Sequence, residues 1–222
     1  MKRLALLIAL AAPVAFAPVA ARAQAQPAPA TDWTDRVEIT AEGGYLMGNP
    51  EAPMRLVEYG SIACSHCADF ETEQGRAIRD QVRAGRASFE YRPYLIFAAD
   101  PAIFLLLRCQ PPERFFRSIH ALYRTQEEWV GRIEANEQQT GQAPTGAALL
   151  RAGGLDQFFR DQGLSNAQIN RCLGDRAAQA ALAASNHAGL ERGVRGTPTF
   201  FLNGRELQVD SFADVTAALM QP

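Results

Sequence analysis

Lysine occurs only at position 2 of this 222-residue chain, and the arginines that replace it elsewhere are scattered among 24 acidic residues. Such a surface has no basic stripe to track a phosphate backbone, so no nucleic-acid partner is expected. Long apolar runs are equally scarce. Beyond residue 23 nothing approaches the ~20 apolar residues that span a bilayer, so a soluble mature protein is expected. Cysteine is sparse as well, with four residues, and only Cys64 and Cys67 lie close together. A zinc site takes four ligands, commonly from two close pairs, whereas Cys109 and Cys172 stand 63 positions apart and neither belongs to a C-x-x-C. No metal site and no cofactor are therefore expected.

What the N-terminus does contain fixes a compartment. Lys2 and Arg3 precede an apolar stretch from Leu4 to about Val19, and Ala21-Arg22-Ala23 has the small-x-small form of a cleavage site. Residues 1–23 read as a signal peptide, with an uncleaved anchor helix as the alternative. No cysteine follows the cleavage site, which argues against a lipid anchor. Export would change the formal charge from −2 (22 basic against 24 acidic) to −5 (19 against 24), because Lys2, Arg3 and Arg22 leave and no acid does. Residues 24–36, rich in Ala, Pro and Gln without apolar periodicity, read as a flexible leader, with order beginning near Val37. The remaining length suits one domain carrying an insertion.

Met54 to Tyr59 reads as a buried strand after the turn signals of Gly43 to Pro53, and Asp69 to Gly85 as a helix. Ala87 to Ile96 alternates like a second strand, giving a β-α-β unit. From Pro101 to about Arg192 the spacing turns helical: Ile103–Cys109, Glu113–Ile133, Gly146–Ala152, Leu155–Gln162 and Ala167 to about Gly193. Pro111-Pro112, the polar run Asn136 to Pro144, and Gly153-Gly154 read as the breaks. Thr199–Leu202 then returns to strand, Asn203-Gly204 is a two-residue hairpin signal, Arg205–Val209 pairs back, and Ser211 caps a last helix. The expected fold is α/β, with residues 37–99 and 194–222 sharing one sheet and residues 100–193 forming an all-helical insertion beside the Cys64–Cys67 pair.

Cys64-Ser65-His66-Cys67 sits where a strand hands over to a helix. The positive end of that helix favours a thiolate, which makes Cys64 the expected exposed, low-pKa nucleophile of a redox dithiol. A structural crosslink is the alternative, yet so short a loop gains only roughly 2 kcal/mol from chain entropy. His66 is expected to lower the thiol pKa further and make the disulfide more oxidising, unless it is merely an exposed residue of the first turn. Glu58 lies in an otherwise apolar strand six residues before Cys64. Buried, it would hold its proton toward neutrality and exchange it with Cys67; at a sheet edge it would do neither. Cys109 and Cys172, near the ends of apolar helical segments, are expected to form a structural disulfide, with separate buried thiols or a second redox relay as alternatives.

Three blocks together resemble the DsbA-type members of the thioredoxin superfamily. They are Leu56–Ser61 leading into Cys64–Cys67, the approach Gly48–Pro53, and Val194–Gly204. The resemblance spans roughly residues 42–220 and implies a thioredoxin-like fold interrupted by helices. It also implies periplasmic thiol-disulfide exchange with reduced or misoxidised secreted proteins, and reoxidation by a membrane quinone-linked thiol oxidase. By the same resemblance Glu58 is the buried acid, and Pro198 is a cis-proline facing the dithiol, where it and Thr197 would bind substrate backbone; a trans proline opening an edge strand is the alternative. Two residues depart from the family's pattern: Ser65, where many members have Pro, and Thr197, where the strongly oxidising members usually have Val and isomerases often have Thr. The expected function is net oxidation of secreted thiols. Isomerase or reductase activity is the runner-up, followed by a peptide-binding chaperone using Phe115-Phe116 and Phe158-Phe159 as apolar surface rather than core.

Overall fold

The computed structural model describes residues 32–220; the expected signal peptide, and residues 24–31 of the expected leader, lie outside them. Fifteen helices and strands of regular structure can be followed in chain order among these residues. Strands β1 (Val37–Ile39), β2 (Tyr45–Gly48) and β3 (Met54–Gly60) precede helix α1 (Ser65–Arg83) and strand β4 (Ala87–Pro93). Seven helices follow: α2 (Asp100–Arg108), α3 (Phe115–Arg124), α4 (Gln126–Thr140), α5 (Gly146–Gly153), α6 (Leu155–Asp161), α7 (Asn166–Leu173) and α8 (Arg176–Glu191). The chain then returns through β5 (Thr199–Leu202) and β6 (Arg205–Leu207) to α9 (Phe212–Leu219).

All six strands join one sheet in the order β1-β2-β4-β3-β5-β6. β3 and β4 run parallel across α1, and every other neighbouring pair is antiparallel. The expected α/β fold with a helical insertion is what the chain adopts. Strand alternation sends Leu56 and Glu58 of β3 to the α1 side, where Phe70, Ile78 and Phe200 pack. It sends Tyr59 to the other side, with Tyr94, Val194 and Phe201. The insertion does not build a separate core: Ile62, Cys64 and Cys67 share one apolar cluster with α2, α3, Trp129, Leu149 and Phe159. Phe115 and Phe159 are core, with Phe116 and Phe158 half-buried against it. Asn203 (φ 49°) and Gly204 (φ 83°) supply the two left-handed residues that the β5–β6 hairpin requires.

Four expectations are corrected. β2, buried throughout, pairs with β1 and β4 where only turn signals were read; it is short, and glycines crowd both ends. The helix expected over Glu113–Ile133 breaks at Thr125, and α4 continues through the polar run as far as Thr140. Glu, Gln and Ala favour helix there, and the stop comes only at Gly141, which caps at φ 69°. Ala167 to Gly193 is likewise two helices, because the Asp175 carboxylate accepts from the amides of Ala177 and Ala178 and starts α8 anew. Order also begins before Val37: Trp33–Asp35 form a 3-10 turn capped by Asp32, whose carboxylate accepts from Arg83 at the end of α1.

Candidate active site

The dithiol sits at the seam between the sheet and the insertion. Cys64 is the N-cap of α1 (φ −82°, ψ 121°), so its sulfur lies over the helix's free amides while Cys67 turns inward one turn later. The loop leading to it is held from the insertion. Gln126 Nε2 donates to the carbonyls of Ile62 (2.8 Å) and Cys64 (3.0 Å), and Tyr123 donates to the Ser61 carbonyl at 3.1 Å while bonding Tyr91 at 2.8 Å. Buried Asp100 accepts from Ser61 Oγ and the amides of Ala63, Ile96 and Phe97. Sequence reasoning missed Tyr91, Asp100, Tyr123 and Gln126. Only the position of Asp100 just before Pro101 at a helix start offered a signal, and that signal reads as a cap.

Across from the helix, the Thr197–Pro198 bond is cis, and the Cys64 thiol donates to the Thr197 carbonyl at 3.3 Å. Thr197 Oγ1 is buried without a partner among the described residues while Cys64 keeps its proton. The Cys64 thiol is pulled down to about 5. The largest cause is the hydrogen bond it receives from the Cys67 thiol; the Thr197 hydroxyl and the amides of Cys67 and His66 add to it, against the opposing effect of burial. Cys67 moves the other way: burial, its bond to Cys64 and the charges of Glu58 and Cys64 keep it protonated. Glu58 is also driven up, chiefly by burial and further by the charges of Glu71 and Cys64. Its Oε1 has no partner among the described residues.

Two expectations change at this site. Cys64 is not an exposed thiol, at 5 % accessibility against 0 % for Cys67; the wall around Thr197 and the core residue Ile62 enclose it. His66 points its imidazole away, with 74 % of the side chain in solvent and Nδ1 3.8 Å from an Asp69 carboxylate oxygen. What His66 brings to Cys64 is its backbone amide. The structure brings Cys64, Cys67, Glu58, Thr197 and Pro198 to one place. Cys109 and Cys172 are elsewhere, joined as a disulfide with Cα atoms 6.1 Å apart that ties the end of α2 to α7. Beside Ser65 and Ala68 a cleft of about 1130 Å³ opens between α1 and α4, walled by Phe97, Val130 and Ile133.

A family model described as Thioredoxin matches residues 40–221. The chain belongs to the thioredoxin family. Within that family it is similar to a crystal structure of a protein-disulfide isomerase from Novosphingobium aromaticivorans, at 29 % identity and TM-score 0.69, covering 79 % of this chain and 97 % of that one. It shares its fold with Wolbachia pipientis alpha-DsbA1, at 18 % identity and TM-score 0.64 over 79 % of this chain and 90 % of that one. A relative in Rickettsia bellii that bears the name protein-disulfide oxidoreductase is 22 % identical over 181 residues, 80 % of this chain and 64 % of that protein. The chain thus spans somewhat under two thirds of the length of that curated relative. These likenesses bear out the expected thioredoxin family, and the fold is the one that the DsbA structure shares.

Proposed function

We propose that this protein is an exported, periplasmic thiol oxidase that donates the Cys64–Cys67 disulfide to reduced secreted proteins. The observation that carries the reading is the placement of the two thiols: Cys64 caps α1 and meets the Thr197 carbonyl beside the cis Thr197–Pro198 bond, while Cys67 is buried one turn later, an arrangement that draws Cys64 down and holds Cys67 protonated. A substrate thiolate attacks Cys64 and expels Cys67, giving a mixed disulfide; a second substrate thiol attacks the substrate sulfur of that bond and expels Cys64 as a thiolate. The substrate gains a disulfide and the protein keeps two reduced cysteines. Each contact that stabilises the departing Cys64 thiolate favours this direction, and about 1.4 kcal/mol corresponds to roughly 30 mV. Glu58 supplies the proton that Cys67 takes up on leaving and receives it back on reoxidation. Thr197 and Pro198, next to Cys64 on the β5 side, would meet the substrate backbone, and the cleft beside Ser65 would take its flanking residues. Reoxidation would fall to a quinone-linked thiol oxidase in the membrane.

Isomerase activity is the second reading, favoured by the likeness to the Novosphingobium isomerase and by the hydroxyl that Thr197 places beside Cys64. The deciding experiment runs two refolding assays side by side, one with a reduced unfolded substrate and one with a scrambled one, together with equilibration of the dithiol against a glutathione buffer. The oxidase reading expects rapid oxidation of the reduced substrate and a high potential. A disulfide form that fails to oxidise it, with a dithiol form that readily rearranges the scrambled one, replaces that reading with the isomerase.

A further inference from the structure

The cleft between α1 and α4 begins beside Ser65, the residue that follows Cys64. At about 1130 Å³ it exceeds the roughly 300–1,000 Å³ of an ordinary small-molecule pocket, and its size suits several residues of extended chain. Its floor is apolar, built from Phe97, Trp129, Val130 and Ile133. Its rim is acidic. Asp69 of α1 and Glu127, Glu134 and Glu137 of α4 line it, against Arg124 as the single basic side chain of the lining.

α4 pairs an acid on its other side and leaves these open. Glu128, which does not line the cleft, lies 4.0 Å from Arg132 one turn on. Among the described residues Glu127, Glu134 and Glu137 have no basic side chain at ion-pair distance, and Asp69 meets only the solvent-exposed His66 imidazole, at 3.8 Å. Glu137 also stands in the last turn of α4, which carries no basic residue and where the negative end of the helix disfavours an acid. Gly131 opens on the same cleft from the middle of the helix, and a Cβ built there would meet no atom. Its φ is not positive and no neighbour crowds it. Glycine within a helix costs stability relative to alanine, and here it leaves the backbone of α4 accessible from the cleft. Helix stability is thus given up twice on the side that borders the dithiol, once for charge and once for space.

We infer that this cleft selects substrates by charge, taking the segment beside the reacting cysteine when that segment carries lysine or arginine. The inference rests on the reading of Cys64–Cys67 as a dithiol that exchanges with secreted proteins, and it names which of them are preferred. The aliphatic stems of the cationic side chains lie along Phe97, Val130 and Ile133 while their charged heads reach the rim carboxylates. The field of four acids over a low-dielectric wall raises the local concentration of a cationic chain next to Cys64. No bond forms or breaks in this step, and the exchange itself is unaltered.

Three dithiol peptides, identical except that the residues flanking one cysteine are Lys, Leu or Glu, test it against the disulfide form of the full chain. Loss of peptide thiols gives the rate. Each rate is divided by that of the same peptide with a neutral small disulfide, which removes the effect of the flanking charge on the peptide's own thiol. The Lys peptide is expected to react at least about tenfold faster than the Glu peptide at about 0.01 M salt, the low end of electrostatic steering. The ratio should fall toward one at about 1 M, where screening acts within about 3 Å. Combined Glu127→Gln, Glu134→Gln and Glu137→Gln should abolish the ratio, whereas Glu128→Gln, Asp161→Asn and Glu206→Gln, an equal change of net charge outside the lining, should keep it. Equal loss in both variants assigns the preference to the charge of the whole chain and overturns the inference. Equal rates for the three peptides overturn it too and leave the exchange reading intact, and a Leu peptide faster than both makes the cleft an apolar groove instead. Oxidation of none of them overturns the exchange reading. Binding of the same peptides with serine for cysteine, read by fluorescence anisotropy, then tests the cleft alone: about tenfold tighter binding of the Lys form supports its charge selection, and equal binding overturns it.

Discussion

Two buried carboxylates flank the dithiol, and they are treated in opposite ways. Asp100 accepts hydrogen bonds from Ser61 Oγ and from the amides of Ala63, Ile96 and Phe97, at 2.8 to 3.3 Å. Glu58 is as deeply buried, but one of its oxygens has no partner among the described residues. Burial pushes the proton affinity of both upward; at Asp100 the amides and the hydroxyl push back, whereas at Glu58 the nearby charges of Glu71 and Cys64 push the same way. An acid with all its acceptors filled is a clamp on backbone. An acid left unsatisfied next to a pair of thiols is stored proton capacity, kept at a cost in stability.

Removing the clamp should have the larger effect. Asp100→Ala leaves three donors without an acceptor, Ser61 Oγ and the amides of Ile96 and Phe97, while the Ala63 amide keeps Ser61 Oγ at 3.3 Å; at about 1–3 kcal/mol for each unsatisfied buried group the loss should reach about 3 kcal/mol or more. Urea denaturation measures it. A loss below about 1 kcal/mol, the net worth of a single ordinary hydrogen bond, would mean that water reaches these donors and that the contrast with Glu58 is overdrawn.

The second carboxylate should show itself in pH dependence. A raised folded-state value means that the native protein binds more protons than the unfolded chain between the ordinary value of 4.5 and the raised one, so stability falls as pH rises through that window. In the reduced protein, Glu58→Gln should remove this component, gaining on the wild type by up to about 1.4 kcal/mol per pH unit inside the window and matching its slope below it. Parallel stability curves across pH 4 to 8 would show that Glu58 is solvated after all.

The contrast between the two acids also marks how far the sequence could be read. Glu58 was legible because a charged residue in an apolar strand, at a fixed distance before Cys64, violates the pattern around it. Asp100 violates nothing: an acid before a proline at a helix start is an ordinary cap, and its clamp spans 39 positions to Ser61. Tyr123 and Gln126 were hidden for the same reason, since neither their type nor their spacing reveals that both reach the backbone of residues 61–64. The strands β3, β4 and β5 and the turn at Asn203-Gly204 could be read from local pattern. β2 could not, because its identity as a strand comes from its partners on either side.

A third measurement separates Cys64 from its neighbour. Because the Cys67 thiol is the largest cause of the low Cys64 value, Cys67→Ala should move the Cys64 thiolate midpoint upward from about 5, yet leave it below the ordinary 9.0. The Thr197 hydroxyl and the amides at 66 and 67 remain in place to hold it. Ultraviolet thiolate absorbance against pH reads the midpoint. A value unchanged at about 5 would assign the stabilisation to the helix end alone, and a value near 9 would leave nothing for the amides or Thr197.

The smallest effect is expected at the residue whose side chain looked most influential. The His66 imidazole lies in solvent beside Asp69, and exposed pairs of that kind contribute about 0–1 kcal/mol; its amide, by contrast, is one of the donors to Cys64. His66→Ala keeps the amide and should shift the Cys64 midpoint by less than about half a pH unit, since a full unit is worth 1.36 kcal/mol. His66→Pro removes the donor at the second position of α1, where the first turn tolerates proline. That amide is the smallest of the causes that lower the Cys64 value, so the variant should raise the midpoint modestly beyond His66→Ala and make the disulfide correspondingly less oxidising. The two substitutions delete the same imidazole and differ at the backbone. Equal shifts in both would return the role of His66 to its side chain and leave the amide contact with Cys64 without consequence.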